Sequence, residues 1–204
     1  MAILNDESRE ITFKLVYTGT PMAGKTSNLS WIHQRLDNSA RSDLITLATM
    51  SDRTLFFDFL AVESVLINGY RSRFQLYTVP GQANYNATRQ IVLRGADGLV
   101  FVADSDPRRA PDNLSAWHAL HQHLAANRTH PDSLPIVLQY NKRDLPNALP
   151  REVMDQSFRS SAPHLTVCEA SATSGTGVFN TLNSLARLVV SRFHSLHTRV
   201  PAAL

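Results

Sequence analysis

The run Gly19-Thr20-Pro21-Met22-Ala23-Gly24-Lys25-Thr26-Ser27 places two glycines, a lysine and a hydroxyl at the spacing G-x-x-x-x-G-K-T. Glycines let the backbone turn so that successive N–H groups converge on an anion. The lysine ammonium then reaches the outer oxygens of a polyphosphate, and the threonine hydroxyl can ligate Mg2+. Gly19, Ala23, Gly24, Lys25, Thr26 and Ser27 are therefore candidate nucleotide-binding positions, with Thr26 also a candidate metal ligand. Pro21 lacks an N–H and biases Thr20 away from the helical region, but the remaining amides of the loop are kept.

A second group, Asn141-Lys142-Arg143-Asp144, has the form N-K-x-D. A carboxylate at the edge of a purine accepts from the ring N–H and exocyclic amine of guanine, whereas adenine presents a bare ring nitrogen that repels it. Asp144 is thus the expected base selector. Asn141 would brace the loop and base, and the stem of Lys142 would cover the ring face.

Both groups need a scaffold that brings them to one edge. Short apolar runs at 11–17, 62–67, 73–79, 98–104, 134–140 and 165–170 read as strands. Helical patterns at 26–36, 86–94, 112–127, 150–158 and 178–194 alternate with them. Strand and helix in alternation imply an α/β fold with a six-stranded, mostly parallel sheet flanked by helices, because each parallel crossover needs a helix-length connection. Ligand then belongs beyond the carboxyl ends of the strands, where both motifs fall.

With 204 residues, 43% of them hydrophobic and 18% charged, the chain can bury one substantial core, and no linker or repeat divides it, so residues 1–204 are expected to form a single domain. A net charge of +3 without a basic block gives no reason to expect nucleic acid or anionic lipid as a partner. The single cysteine, Cys168, rules out an internal disulfide framework, and no export signal or membrane-spanning run is visible. Ala2 and a tail without cysteine offer no lipidation site, so a cytoplasmic protein without its own membrane anchor is expected.

With these motifs in order, the chain resembles a P-loop NTPase of the Ras-like G-domain type. The segments 52–60, 76–82, 97–105 and 139–148 narrow the resemblance to the bacterial MglA family of cell-polarity and gliding-motility switches. The resemblance spans nearly the whole chain. It implies a small GTPase that binds GTP or GDP with Mg2+, hydrolyses GTP and signals through the nucleotide it holds. It further implies Thr54 as the switch threonine on Mg2+, and Arg53 as an arginine finger acting in cis. Gly81 would donate its N–H to the γ-phosphate, and Gln82 would orient the attacking water. Ser171 and Ala172 would belong to the loop whose amide meets the guanine carbonyl, with Thr173 where lysine is usual. The implied partners are an activating roadblock protein of MglB type and polarity or motility effectors, which could recruit the chain to the cell poles.

Two departures carry expectations of their own. Thr78-Val79-Pro80-Gly81 has threonine where most Ras-like proteins keep a metal-side aspartate, so Thr78 would hold a metal-bound water more weakly, with Asp58 or Asp52 as possible compensation. Pro21 stands where the family usually has glycine, which places intrinsic hydrolysis in question and leaves a GTP-binding switch with negligible turnover as an alternative. A small-molecule kinase would use the same phosphate loop, but Asn141 to Asp144 argues against it. His118, His121 and His123 are read as solvated rather than as a metal site, and Leu55-Phe56-Phe57 as core rather than as a partner surface.

Overall fold

A computed structural model describes residues 2–48, 56–67, 69–80, 86–159 and 164–197. Its strands are β1 (Ile3–Asn5), β2 (Glu10–Gly19), β3 (Ile45–Ala48), β4 (Phe56–Ile67), β5 (Tyr70–Thr78), β6 (Gly98–Asp104), β7 (Ile136–Asn141) and β8 (Thr166–Glu169). Its helices are α1 (Lys25–Arg35), α2 (Asn86–Leu93), α3 (Ala110–Ala126), α4 (Arg151–Arg159) and α5 (Val178–His197).

Among the described residues the sheet has eight strands, in the order β3-β4-β5-β2-β6-β7-β8, with β1 beside β2. Six strands were expected. The extra two are β1, a three-residue strand, and β3, which pairs antiparallel to a β4 that begins at Phe56 rather than Val62. Neither short strand carries a long apolar run of its own, so pairing with a neighbour defines it. Strands β5, β2, β6, β7 and β8 run parallel.

Alternation along the central strands sends side chains to two cores. Phe13, Leu15, Tyr17, Val100, Val102 and Val137 meet α1 and α5 on one face. Val16, Leu99, Phe101, Ala103, Ile136, Leu138 and Tyr140 meet α2, α3 and α4 on the other. A period of two on the strands serves both faces at once, which is why these segments read as nearly continuous apolar runs. On α5 the buried residues Val178, Thr181, Leu182, Leu185, Val189 and Phe193 repeat at helical spacing and form one stripe.

Because β2, β5, β6, β7 and β8 are parallel, Gly19, Thr78, Asp104, Asn141 and Glu169 all end on one edge of the sheet. Every loop that follows them opens on that edge.

Candidate functional site

The phosphate loop links β2 to α1. Gly24 takes a left-handed conformation, with φ of 100°, immediately before the first helical residue. A side chain there would be strained, and its Cβ would overlap Asn141 Nδ2. The second glycine of the loop therefore serves two needs, the turn itself and the close approach of the base-side loop.

Asn141 exploits that approach. Its Nδ2 donates to the carbonyl of Ala23 at 2.7 Å, and its Oδ1 accepts from the N–H of Ala172 at 2.9 Å. One buried side chain thus ties the phosphate loop to the Ala172 loop. The Ala172 amide is engaged with Asn141 in this arrangement. The loop carrying Ser171 and Ala172 is closed by a Ser171–Thr176 bridge and seated on α1. Gly175, at φ of 83°, lies so close to Trp31 that any Cβ would overlap the indole.

Lys142 adopts a left-handed backbone, with φ of 64°. Its Nζ sits 2.6 Å from Oδ2 of Asp104, a carboxylate buried at the end of β6. The pair fixes the lysine stem across the base side of the site. Asp144 is exposed, and among the described residues its carboxylate makes no hydrogen bond or ion pair. It is available to a ligand.

Lys25 is buried and donates to the carbonyls of Thr20 at 2.6 Å and Gly19 at 3.2 Å. Desolvation, reinforced by the nearby Arg89 guanidinium and opposed by Asp58, lowers its pKa to about 8. Without an anion the ammonium is poorly compensated, and a polyphosphate would supply the missing charge.

The metal side differs from the expectation for Thr78. Thr78 Oγ1 accepts from the N–H of Asp58 at 2.9 Å and donates to Asp58 Oδ2 at 2.9 Å. Thr26 Oγ1 lies 2.6 Å from the same Oδ2, and Thr46 Oγ1 donates to Oδ1 at 2.9 Å. The threonine hydroxyl is thus directed to a carboxylate instead of standing alone. That carboxylate comes from β4 and reaches the Thr26 hydroxyl from the neighbouring strand. Asp58, one of two candidates for compensation, is placed at the site; Asp52 lies outside the described residues.

Arg53, Thr54, Gly81 and Gln82 also lie outside the described residues. Pro21 is described, and its carbonyl accepts from Arg109 Nη2 at 3.0 Å. Sequence reasoning missed Asp104, and it missed a buried amide pair, Asn28 and Gln139, directly beneath the loops. The three histidines also part company. His118 is exposed, whereas His121 packs edge-on to Trp117 and His123 is half-buried with its pKa lowered by desolvation and Arg89. Phe57 packs with Tyr77 against the core, in line with the core reading of that residue.

The Ras family matches residues 14–191, which include the phosphate loop, the N-K-x-D loop and the Ser171–Ala172 loop. The chain belongs to the Ras family of small GTPases. It is 45% identical over 193 residues to the mutual gliding-motility protein MglA of Myxococcus xanthus, covering 94% of this chain and 97% of that one. This level of identity places it with the MglA proteins inside the family. It is also 29% identical to the Ras-related protein RABA2b of Arabidopsis thaliana, over 94% of this chain and 84% of that one. With the Ras-related protein Rab7 of Cenchrus ciliaris it shares 26% identity over 83% of this chain and 78% of the other.

Family membership makes the chain a small GTPase switch, and Ras-family proteins bind GTP and GDP. Proteins of this family use Mg2+ with the nucleotide, and the residues here fit that ion. Thr26 and Asp58 present hard oxygen donors side by side next to the phosphate loop, the donor chemistry that Mg2+ prefers.

Proposed function

We propose that this GTPase is an MglA-type switch whose Mg2+-dependent GTP hydrolysis times the recruitment of partners that set cell polarity or motility. The observation that carries the reading is the cluster of Thr26, Asp58 and Thr78. It gives the T-x-P-G form of this chain a carboxylate beside the phosphate loop, supplied from β4 in place of the usual aspartate. The likeness to a gliding-motility protein supports the biological role.

In this reading the loop amides and Lys25 bind the β- and γ-phosphates, while Asp144 selects guanine. Ala172 and Ser171 complete the base pocket. Thr26 and Thr54 would hold Mg2+ directly, and Asp58 would hold it directly or through water. Held there, Mg2+ would supply positive charge to the phosphates. Gln82 orients the attacking water and Gly81 donates to the γ-phosphate. Arg53 places its guanidinium on the charge that develops as the γ-phosphoryl leaves. A roadblock partner of MglB type would accelerate turnover by arranging Arg53 and Gln82, without donating an arginine of its own. Among the described residues no helix is long and apolar enough to cross a membrane. In this reading the switch is cytoplasmic, and partners place it at a pole or a membrane assembly.

Single-turnover GTP hydrolysis, with and without an MglB-type roadblock protein, tests the reading. Slow intrinsic turnover strongly raised by the partner is expected, together with nucleotide-dependent polar placement of a fluorescent fusion. GTP retained unhydrolysed under both conditions would instead establish a switch that binds without turnover. Uniform distribution of the fusion in both nucleotide states would remove the polarity role.

A further inference from the structure

Asn28, Gln139 and Thr181 are buried with no solvent exposure, each on a different element behind the nucleotide loops. Asn28 Nδ2 donates to Gln139 Oε1 at 2.9 Å, and Gln139 Nε2 returns a bond to Asn28 Oδ1 at 2.9 Å. Gln139 Nε2 also donates to Thr181 Oγ1 at 2.9 Å, and Thr181 donates in turn to the carbonyl of Gly177 at 2.9 Å. Asn28 Nδ2 closes the set by donating to the carbonyl of Gly24 at 2.8 Å.

Each partner sits just behind a loop of the site. Asn28 is one turn into α1, bonded to the glycine that precedes Lys25. Gln139 is two residues before Asn141 on β7. Thr181 lies in the first turn of α5, just after the loop that carries Ala172, and Gly177 ends that loop. The hydrogen bonds therefore join the phosphate cradle to the two base loops at their roots, where Asn141 joins them at their tips.

Placing polar amides at zero exposure is costly unless every group is bonded, and here all four amide N–H bonds are made. Apolar side chains of similar volume would fill the same space and tolerate small slides between α1 and β7. Paired amides do not, because a hydrogen bond weakens steeply with angle. We propose that Asn28 and Gln139 form a positioning clasp that sets the distance between the phosphate cradle and Asp144, and through it the discrimination of guanine.

A bound nucleotide has a fixed reach from phosphate to base. With the phosphates held by Lys25 and the loop amides, the Asp144 carboxylate meets the exocyclic amine only if the two loops keep their spacing. The clasp thus acts on specificity without touching the ligand. The proposal rests on guanine nucleotide binding at this site.

The test compares GDP with IDP, which lacks the exocyclic amine, in competition binding to the full chain. The ratio of the two affinities is insensitive to the fraction of protein folded, since both ligands report on the same competent molecules. Asn28→Leu and Gln139→Leu each leave one amide without its partner, and the double variant replaces the pair by apolar groups. Thr181→Val removes only the hydroxyl that anchors Gln139 while keeping its volume, so it tests the clasp even where a leucine variant fails to fold. The expected result is a GDP-over-IDP preference lowered by about fivefold in the leucine variants, including a double variant with recovered Tm, and by about twofold in Thr181→Val. A preference equal to wild type in Thr181→Val and in every leucine variant that binds nucleotide would overturn the proposal and leave the amides a structural role alone. A wild-type chain that binds IDP as tightly as GDP, or favours ADP, would instead refute the guanine reading itself.

Discussion

Oδ2 of Asp58 lies 2.6 Å from the hydroxyl of Thr26, although the two residues belong to different elements and 32 positions separate them. The same oxygen accepts from Thr78, the residue that replaces the customary aspartate. The threonine on β5 that stands at that position thus meets a carboxylate carried by β4.

Asp58→Asn should accordingly weaken Mg2+ dependence without unfolding the chain, because the amide keeps the shape and can still bond to hydroxyls that rotate. The Mg2+ concentration needed for half-maximal nucleotide retention is expected to rise about tenfold, typical of losing a group that orients or supports a metal. Nucleotide release followed against Mg2+ concentration measures it. An unchanged Mg2+ requirement would assign Asp58 to strand pairing alone.

The lowered pKa of Lys25, about 8, makes nucleotide affinity pH-dependent. Above that value the free protein holds Lys25 neutral, whereas a bound polyphosphate favours the charged form, so binding takes up a proton. Affinity should fall as pH rises from 8 to 9, approaching tenfold per unit, and be flat below about 7. For folding the sign is opposite: the depressed folded value means the unfolded chain binds more protons between about 8 and 10.5, so nucleotide-free stability rises with pH there. Titrations of GDP binding from pH 6.5 to 9 check the first effect, and Lys25→Arg should flatten the profile.

Gly24→Ala should be damaging on two counts, the left-handed φ of 100° and the overlap with Asn141. Backbone strain of this kind costs about 1–3 kcal/mol, and displacing Asn141 also loosens the Ala23 and Ala172 contacts. A lower Tm together with nucleotide affinity reduced by more than tenfold is the expected outcome. Thermal unfolding with and without GDP separates the two parts.

Asp144→Asn should exchange guanine for xanthine, since an amide can donate to the carbonyl that xanthine carries where guanine has its amine. Competition between GDP and XDP reads the change directly. A variant that still prefers GDP to the wild-type extent would show that another group selects the base.

Arg53→Ala should bind GTP and GDP normally yet lose about a thousandfold in partner-stimulated hydrolysis, roughly 4 kcal/mol, because the guanidinium meets charge that grows only in the transition state. Arg53→Lys should recover little, having lost the planar fork. Wild-type stimulated turnover in Arg53→Ala would move the finger to the partner or dispense with it. A companion variant, Pro21→Gly, should raise turnover at nearly constant GDP affinity.

What could be read without coordinates is what the chemistry keeps contiguous. A phosphate loop is built from neighbouring amides, and a base selector from one short turn, so Gly24, Lys25, Asn141 and Asp144 announce themselves by spacing. The central strands did so as well, since burial on both faces makes each an apolar run. The short strands β1 and β3 lacked that signal, because pairing rather than composition makes them strands. Tertiary structure alone brought Asp58 to Thr78 and Thr26, since that contact depends on β4 lying beside β5. It alone revealed the pairing of Asn28 with Gln139, 111 residues apart, and of Lys142 with Asp104. A single polar letter inside an apolar segment does not state its partner; only the parallel packing of β2, β6 and β7 under α1 and α5 brings such groups within hydrogen-bond reach and makes their burial tolerable.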